Sequence, residues 1–287
     1  MASGKSNESS TNTESHVKHQ TLMSIIKILF LGDIVGSSGR KIVKAWTPIL
    51  RKQMQLDFVI ANAENSAHGF GVTPQVAAEL FQAEIDCLTG GNHTFDKKEV
   101  NQCFQEYPDR VLRPANYPPG TSGKGVSILH TKSGHKIGVI NLMGRIFMDP
   151  IDCPFQIFEK EIESVRRQTP IVFLDMHAEA SSEKQAMARF ADGRISCFVG
   201  THTHVPTADE RILPKGTGYL TDCGMNGPYD SIIGMKTEII VERFVRKQHI
   251  RMEVSDNPGS LRGVVYQVDT DDGKCVGIER VHHEKMP

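Results

Sequence analysis

No stretch of this chain is apolar for the ~18 residues that a bilayer-spanning helix requires, and the first twenty residues lack the apolar core of an export signal. The expectation is a soluble, cytoplasmic protein with no membrane partner. Neither charge is in excess: 33 Lys and Arg stand against 34 Asp and Glu, a formal net charge of -1. Without a basic surface, bulk binding to DNA or RNA is not expected, and any phosphate has to be recognised locally. Cysteine offers no framework either. Cys87, Cys103, Cys153, Cys197, Cys223 and Cys275 are scattered, form no C-x-x-C pair and mostly fall in apolar or helical stretches. They read as buried thiols in a reducing compartment rather than as disulfides or a zinc site.

What the chain does have is a repeated unit of strand, glycine-rich turn and amphipathic helix. Helices are predicted over 39–54, 74–83, 155–167 and 181–191. Strands are predicted over 26–31, 58–61, 85–88, 171–174, 195–199, 218–221 and 238–246. Thr73-Pro74 is a helix start, because Thr accepts a bond from an orphan amide and Pro at the first position has none to lose. Two hairpins are predicted, 125–130 with 136–141 and 264–268 with 275–281, each around a glycine-containing turn. The fold class is therefore α/β with mixed pairing, a sandwich of two mixed β-sheets flanked by α-helices. The signals continue past Ile250 without a break, so a single domain over 24–287 is expected. Residues 1–23 have almost nothing to bury against the entropy of ordering, and are expected to be a disordered N-terminal tail.

Five of the apolar runs end in residues that favour metals: Gly32-Asp33, Asn62-Ala63-Glu64-Asn65, Gly90-Gly91-Asn92-His93, Met176-His177-Ala178-Glu179 and Gly200-Thr201-His202-Thr203-His204. If one sheet edge collects these exits, carboxylate, amide and imidazole groups converge on one place. Each has a plainer reading alone: Asp33 as a turn or N-cap residue, Glu64 and Asn65 as a solvated loop, His93 or His177 as a satisfied core histidine. Five such coincidences in succession argue for a site. His202 and His204, two apart, would point the same way on an extended segment. Oxygen donors abound and thiolates are missing, which favours Mn²⁺ or Fe²⁺ ahead of catalytic Zn²⁺.

These blocks resemble those of the calcineurin-like binuclear metallophosphoesterases and, more closely, the bacterial YmdB-like subfamily. Gly32 to Gly36, Met176 to Ala180, Gly200 to Val205, Thr207 to Ile212 and Thr221 to Asp230 carry the closer likeness, which runs over nearly all of 25–281. The resemblance implies a metallophosphoesterase-type sandwich and a phosphodiesterase acting on cyclic nucleotides, 2′,3′-cyclic ones above all. It implies two divalent ions per subunit, Fe or Mn. Asp33, Asn65 and His204 would hold one, Asn92, His177 and His202 the other, and Glu64 would bridge them. A hydroxide bridging the two ions would attack phosphorus, and His93 would be the proton donor. The usual D-x-H start is Asp33-Ile34-Val35 here, so one imidazole is missing and Asn65 takes its place. Glu64 stands where an aspartate is usual, and Asp96 replaces the acidic neighbour that normally orients the catalytic histidine. His68 and Arg145 are candidates for contacting substrate from loops.

Two other readings remain open from sequence. One keeps the dimetal site but changes the substrate to a phosphomonoester, as in a 5′-nucleotidase, or to RNA, as in a nuclease. The other is a non-catalytic, metal-stabilised regulatory protein. The sequence also leaves open assembly into a homo-oligomer.

Overall fold

The computed structural model describes residues 1, 2, 4 and 24–287, so most of the expected tail lies outside the described residues. The chain builds two mixed sheets. In the first, β1 (Ile25–Leu31), β3 (Phe58–Asn62) and β4 (Cys87–Thr89) run parallel, connected through α1 (Gly36–Met54) and α2 (Pro74–Gln82). On the other side of β1 lies β12 (Gly259–Asp269), antiparallel and paired in turn with β13 (Cys275–His283) and β11 (Met225–Pro228). The short β2 (Asp33–Ile34) closes that edge against β11.

In the second sheet, the hairpin of β5 (Val126–His130) and β6 (Lys136–Met143) leads into parallel β7 (Val172–His177), β8 (Cys197–Thr201) and β10 (Gly218–Leu220), ending at β9 (Arg211–Ile212). The mixed pairing expected from the two hairpins is present in both sheets.

Period-two alternation explains the layering, because neighbouring strand residues face opposite sides. Ile26, Ile28 and Phe30 of β1 point between the sheets, onto Ile137, Val139 and Phe173. Leu29 and Leu31 point outward, under Ile42 and Leu50 of α1 and Leu80 of α2, with α3 (Val100–Glu106) completing that layer. Beyond the second sheet, Ile140, Leu174 and Phe198 pack against Phe158 and Ile162 of α4 (Pro154–Arg166) and Met187 of α5 (Ser181–Ala191). Both faces of the central strands are thus buried, which is why they read as near-continuous apolar runs.

The start of α2 follows the expected capping, with Thr73 Oγ1 accepting from Val76 N–H at 3.4 Å ahead of Pro74. The strand expected over 238–246 is instead α6 (Thr237–Arg246). Its β-branched run Ile239-Ile240-Val241 mimics a strand, yet only Ile240 is buried, and Glu242 and Arg246 pair across one turn at 3.0 Å. Among the described residues no strand pairs with this segment, and tertiary setting overrides local propensity.

Candidate metal centre

The carboxyl ends of β1, β3 and β4 in one sheet face those of β7 and β8 in the other, and the polar exits meet there. After β1 the chain must pass within touching distance of Gly224, since a Cβ at Gly32 would lie 1.9 Å from the Gly224 carbonyl oxygen. That passage buries Asp33 completely. Its Oδ2 accepts from His202 N–H at 3.2 Å, while Oδ1 has no hydrogen-bond partner and lies 4.0 Å from His204 Nε2.

After β3, Asn62 Oδ1 accepts from Glu64 N–H at 3.1 Å, an Asx-type turn that aims the next side chains inward. Glu64 Oε1 lies 3.1 Å from His177 Nε2, and Oε2 accepts from His93 N–H at 2.9 Å. Asn65 Nδ2 donates to the Gly69 carbonyl at 3.0 Å, leaving buried Oδ1 without a partner.

The exit of β4 is shaped by Gly91, where a Cβ would fall 2.3 Å from the His177 ring and 2.4 Å from Glu64 Oε2. Only glycine leaves room for both groups. Asn92 Oδ1 then stands 2.9 Å from His177 Nε2, and His93 Nδ1 stands 2.8 Å from Asp96 Oδ2, so Asp96 does orient that ring. The His93 ring meets Phe70 edge-on at 5.0 Å. From the second sheet, His177 is fixed through Nδ1 by Thr201 Oγ1 at 3.0 Å, and His202 Nδ1 lies 3.0 Å from His177 Nε2.

His202 and His204 do not share an extended segment as expected. β8 ends at Thr201, and both histidines have positive φ, 102° and 64°. This uncommon backbone sends the two rings to different places. His202 joins Asn92 and His177, whereas His204 turns towards Asp33 with its Nδ1 against the Ile233 carbonyl at 2.8 Å.

Burial and charge pull these groups apart in acidity. Burial drives Asp33 upward, against the pull of His204 and His177. Glu64 is also pushed up by burial, yet the charge and hydrogen bond of His177 prevail and hold it at about 2. For His177, burial works against protonation, but Glu64, Asp33 and Asp175 lift it to about 9. Burial and the neighbouring His177 drive His202 down to about 3.

The donor set fits divalent cations. Two buried acceptors, Asp33 Oδ1 and Asn65 Oδ1, lack any donor, which is costly unless a cation satisfies them. His177 Nε2 is crowded by Asn92 Oδ1, Glu64 Oε1 and His202 Nδ1 within 3.1 Å, more acceptors than one N–H can serve well. Asp33, Glu64, Asn65, Asn92, His93, His177, His202 and His204 are thus gathered into one cage. His68 and Arg145 are not. His68 is exposed and lines an adjoining cavity, and Arg145 is exposed at the end of β6, with its N–H on Glu183.

Sequence reasoning gave no role to several neighbours of the cage. Glu179 Oε2 lies 3.1 Å from His202 Nε2. Asp175 sits fully buried behind the cage, accepting from Thr89 at 2.5 Å, Thr201 at 2.8 Å and Asn62 at 3.3 Å, with burial raising it to about 7. The signal for Asp175 was present, a lone carboxylate inside an apolar strand. Lys184 and Asp222 form a buried pair at 2.6 Å, and the same Asp222 oxygen accepts from Thr203, between the two histidines.

Two mixed sheets flanked by helices, with this cage at their common edge, define a metallophosphoesterase-type protein. Within that class the chain belongs to the YmdB-like protein family, whose model matches residues 29–281. It is 48% identical over 256 residues to the 2′,3′-cyclic-nucleotide 2′-phosphodiesterase of Bacillus subtilis (strain 168), covering 89% of this chain and 96% of that protein. A crystal structure described as a novel phosphatase of Mycoplasma pneumoniae superposes with a TM-score of 0.85 at 35% identity, covering 91% of this chain and 94% of the other. A hypothetical protein from Thermus thermophilus superposes with a TM-score of 0.84 at 38% identity, covering 91% and 100%.

Proposed function

We propose that this protein is a divalent-metal-dependent phosphodiesterase that opens 2′,3′-cyclic nucleotides. The observation that carries the reading is the pair of buried acceptors, Asp33 Oδ1 and Asn65 Oδ1, in the same cage as the crowded His177 Nε2. The name of the Bacillus subtilis relative supports the substrate class. Asp33, Asn65 and His204 would hold one ion, Asn92, His177 and His202 the other, with Glu64 shared. When bound, the two ions would supply Lewis acidity towards the phosphoryl oxygens and acidify water at neutral pH.

The residues around the ions have separable tasks. The Asp96 carboxylate accepts a hydrogen bond from His93 Nδ1–H, which would orient the ring so that Nε2 can donate a proton to the leaving sugar oxygen. As water adds to phosphorus and the bond from phosphorus to the sugar oxygen breaks, that proton prevents an alkoxide from forming. Thr201 holds the His177 ring through Nδ1 and leaves Nε2 for the site. The absence of thiolate among the donors favours Fe or Mn over Zn. The reading also includes a single domain over 24–287 working in the cytoplasm; among the described residues no helix is long and apolar enough to cross a membrane.

The test is a screen of cyclic nucleotides and their monoesters with anaerobically purified, metal-loaded protein. Hydrolysis of 2′,3′-cyclic nucleotides that is abolished by chelation and restored by Fe²⁺ or Mn²⁺ supports the proposal. Preference for monoesters contradicts it.

A further inference from the structure

Beside the cage lies a larger cavity of about 760 Å³, against 270 Å³ for the pocket over the ligands. The two share Phe70 and Met252 as a common wall. The larger one is lined by Arg40, His68, Lys97, Arg243, His249 and Arg251, against only Glu253 and Asp256. One cation and one anion of this lining are already engaged, Arg40 with Glu79 at 3.0 Å and Glu253 with Lys236 at 2.8 Å. Lys97, Arg243 and Arg251 make no ion pair among the described residues. A chain with net charge -1 has thus concentrated unpaired cations beside its reaction pocket.

We infer that this basic cleft holds the nucleotides on the 5′ side of the reacting group, so that the preferred substrate is a short single-stranded RNA ending in a 2′,3′-cyclic phosphate. The inference rests on the phosphodiesterase reading, because it assigns the cyclic phosphate to the cage. A 2′,3′-cyclic phosphate occupies the 3′ terminus, and any further phosphates extend from it in one direction only. The cleft offers one continuation from the pocket, with cations for those phosphates and the half-buried ring of Phe70 at the junction as a stacking surface. A net charge of only -1 over the whole chain fits a short fragment rather than a long polyanion.

The experiment compares kcat/KM for a 2′,3′-cyclic mononucleotide and for a trinucleotide ending in the same group. It uses the metal-loaded full chain and the double variant Arg243→Gln/Arg251→Gln. A trinucleotide preference of about tenfold or more is expected, shrinking as salt is raised and lost in the variant, with mononucleotide turnover unchanged. Equal kcat/KM for both substrates, or an equal loss on both in the variant, overturns the inference. Fluorescence anisotropy with a 5′-labelled trinucleotide 3′-phosphate provides a readout independent of catalysis. Binding that depends on Arg243 and Arg251 without any turnover would retain the cleft and remove the phosphodiesterase reading. Turnover of the mononucleotide without such binding would do the reverse.

Discussion

Glu64 ties together the two halves of the site: one carboxylate oxygen accepts the backbone N–H of His93 at 2.9 Å, and the other lies 3.1 Å from His177 Nε2. A single side chain at the exit of β3 thereby fixes both the loop that carries the proposed proton donor and the imidazole at the centre of the cage. Glu64→Gln keeps the shape and the bond from His93 but removes the charge. Metal affinity is expected to fall by more than the ~10–100-fold typical of losing an outer partner, while the fold persists. Metal content after dialysis and a thermal melt check the two parts separately.

His93→Ala is expected to retain both metals and lower kcat by roughly 10²–10⁴-fold, the usual range for a lost general acid. Asp96→Asn should lower kcat less, because the ring stays but its orienting partner weakens. A substrate whose leaving group needs no proton, such as a p-nitrophenyl diester, should be much less affected by His93→Ala. Equal loss on both substrates would remove the proton-donor role.

The chelated protein should show pH-dependent stability of predictable sign. His177 has its folded pKa raised to about 9 from an ordinary 6.5, despite burial, by Glu64, Asp33 and Asp175. Its contribution is complete below pH 6.5 and disappears as pH rises through 9. His202 is held down at about 3 by burial and by His177, so its contribution is present above pH 6.5 and lost as pH falls. Asp175, raised to about 7 by burial, acts in the opposite sense to His202 on the acid side and offsets it, so the clear signal in chelator should be a melting temperature that falls from pH 6.5 to 9 as His177 loses its proton. Metals bind neutral imidazole, so the stabilisation gained on loading should grow from pH 6.5 to 9 as His177 gives up its proton more easily.

Lys184 and Asp222 are both almost wholly buried and pair at 2.6 Å beneath the histidine turn. Lys184→Met should destabilise the protein by about 3–5 kcal/mol, because it strands a buried carboxylate. Lys184→Met with Asp222→Leu should recover much of that stability. Activity should not recover with it, since Thr203 has lost the Asp222 oxygen that anchors the turn between His202 and His204. Urea unfolding and turnover of the same variants separate the two effects.

Much of this architecture is legible in the sequence, for identifiable reasons. β1, β3, β7 and β8 are buried on both faces and therefore appear as apolar runs, and each ends where the chain needs polar or small residues. Asp33, Glu64, Asn92 and His177 follow directly from that punctuation. The relative placement of His202 and His204 was not legible, because spacing of two suggests a strand and only the positive φ values reveal a turn. α6 reads as a strand in the sequence because Ile239 to Val241 carry the residue types of one, while its helical state depends on where the chain sits. Lys184 and Asp222, 38 residues apart, and the cleft built from residues near 40, 97, 243 and 251 depend on contacts distant in sequence that no local pattern encodes.

The most direct test is anomalous X-ray diffraction from crystals of anaerobically purified protein, recorded at the iron and manganese edges. Two peaks are expected inside the cage, one against Asp33, Asn65 and His204, the other against Asn92, His177 and His202, with Glu64 between them. A single peak, or peaks away from these side chains, would contradict the binuclear centre on which the proposed chemistry depends.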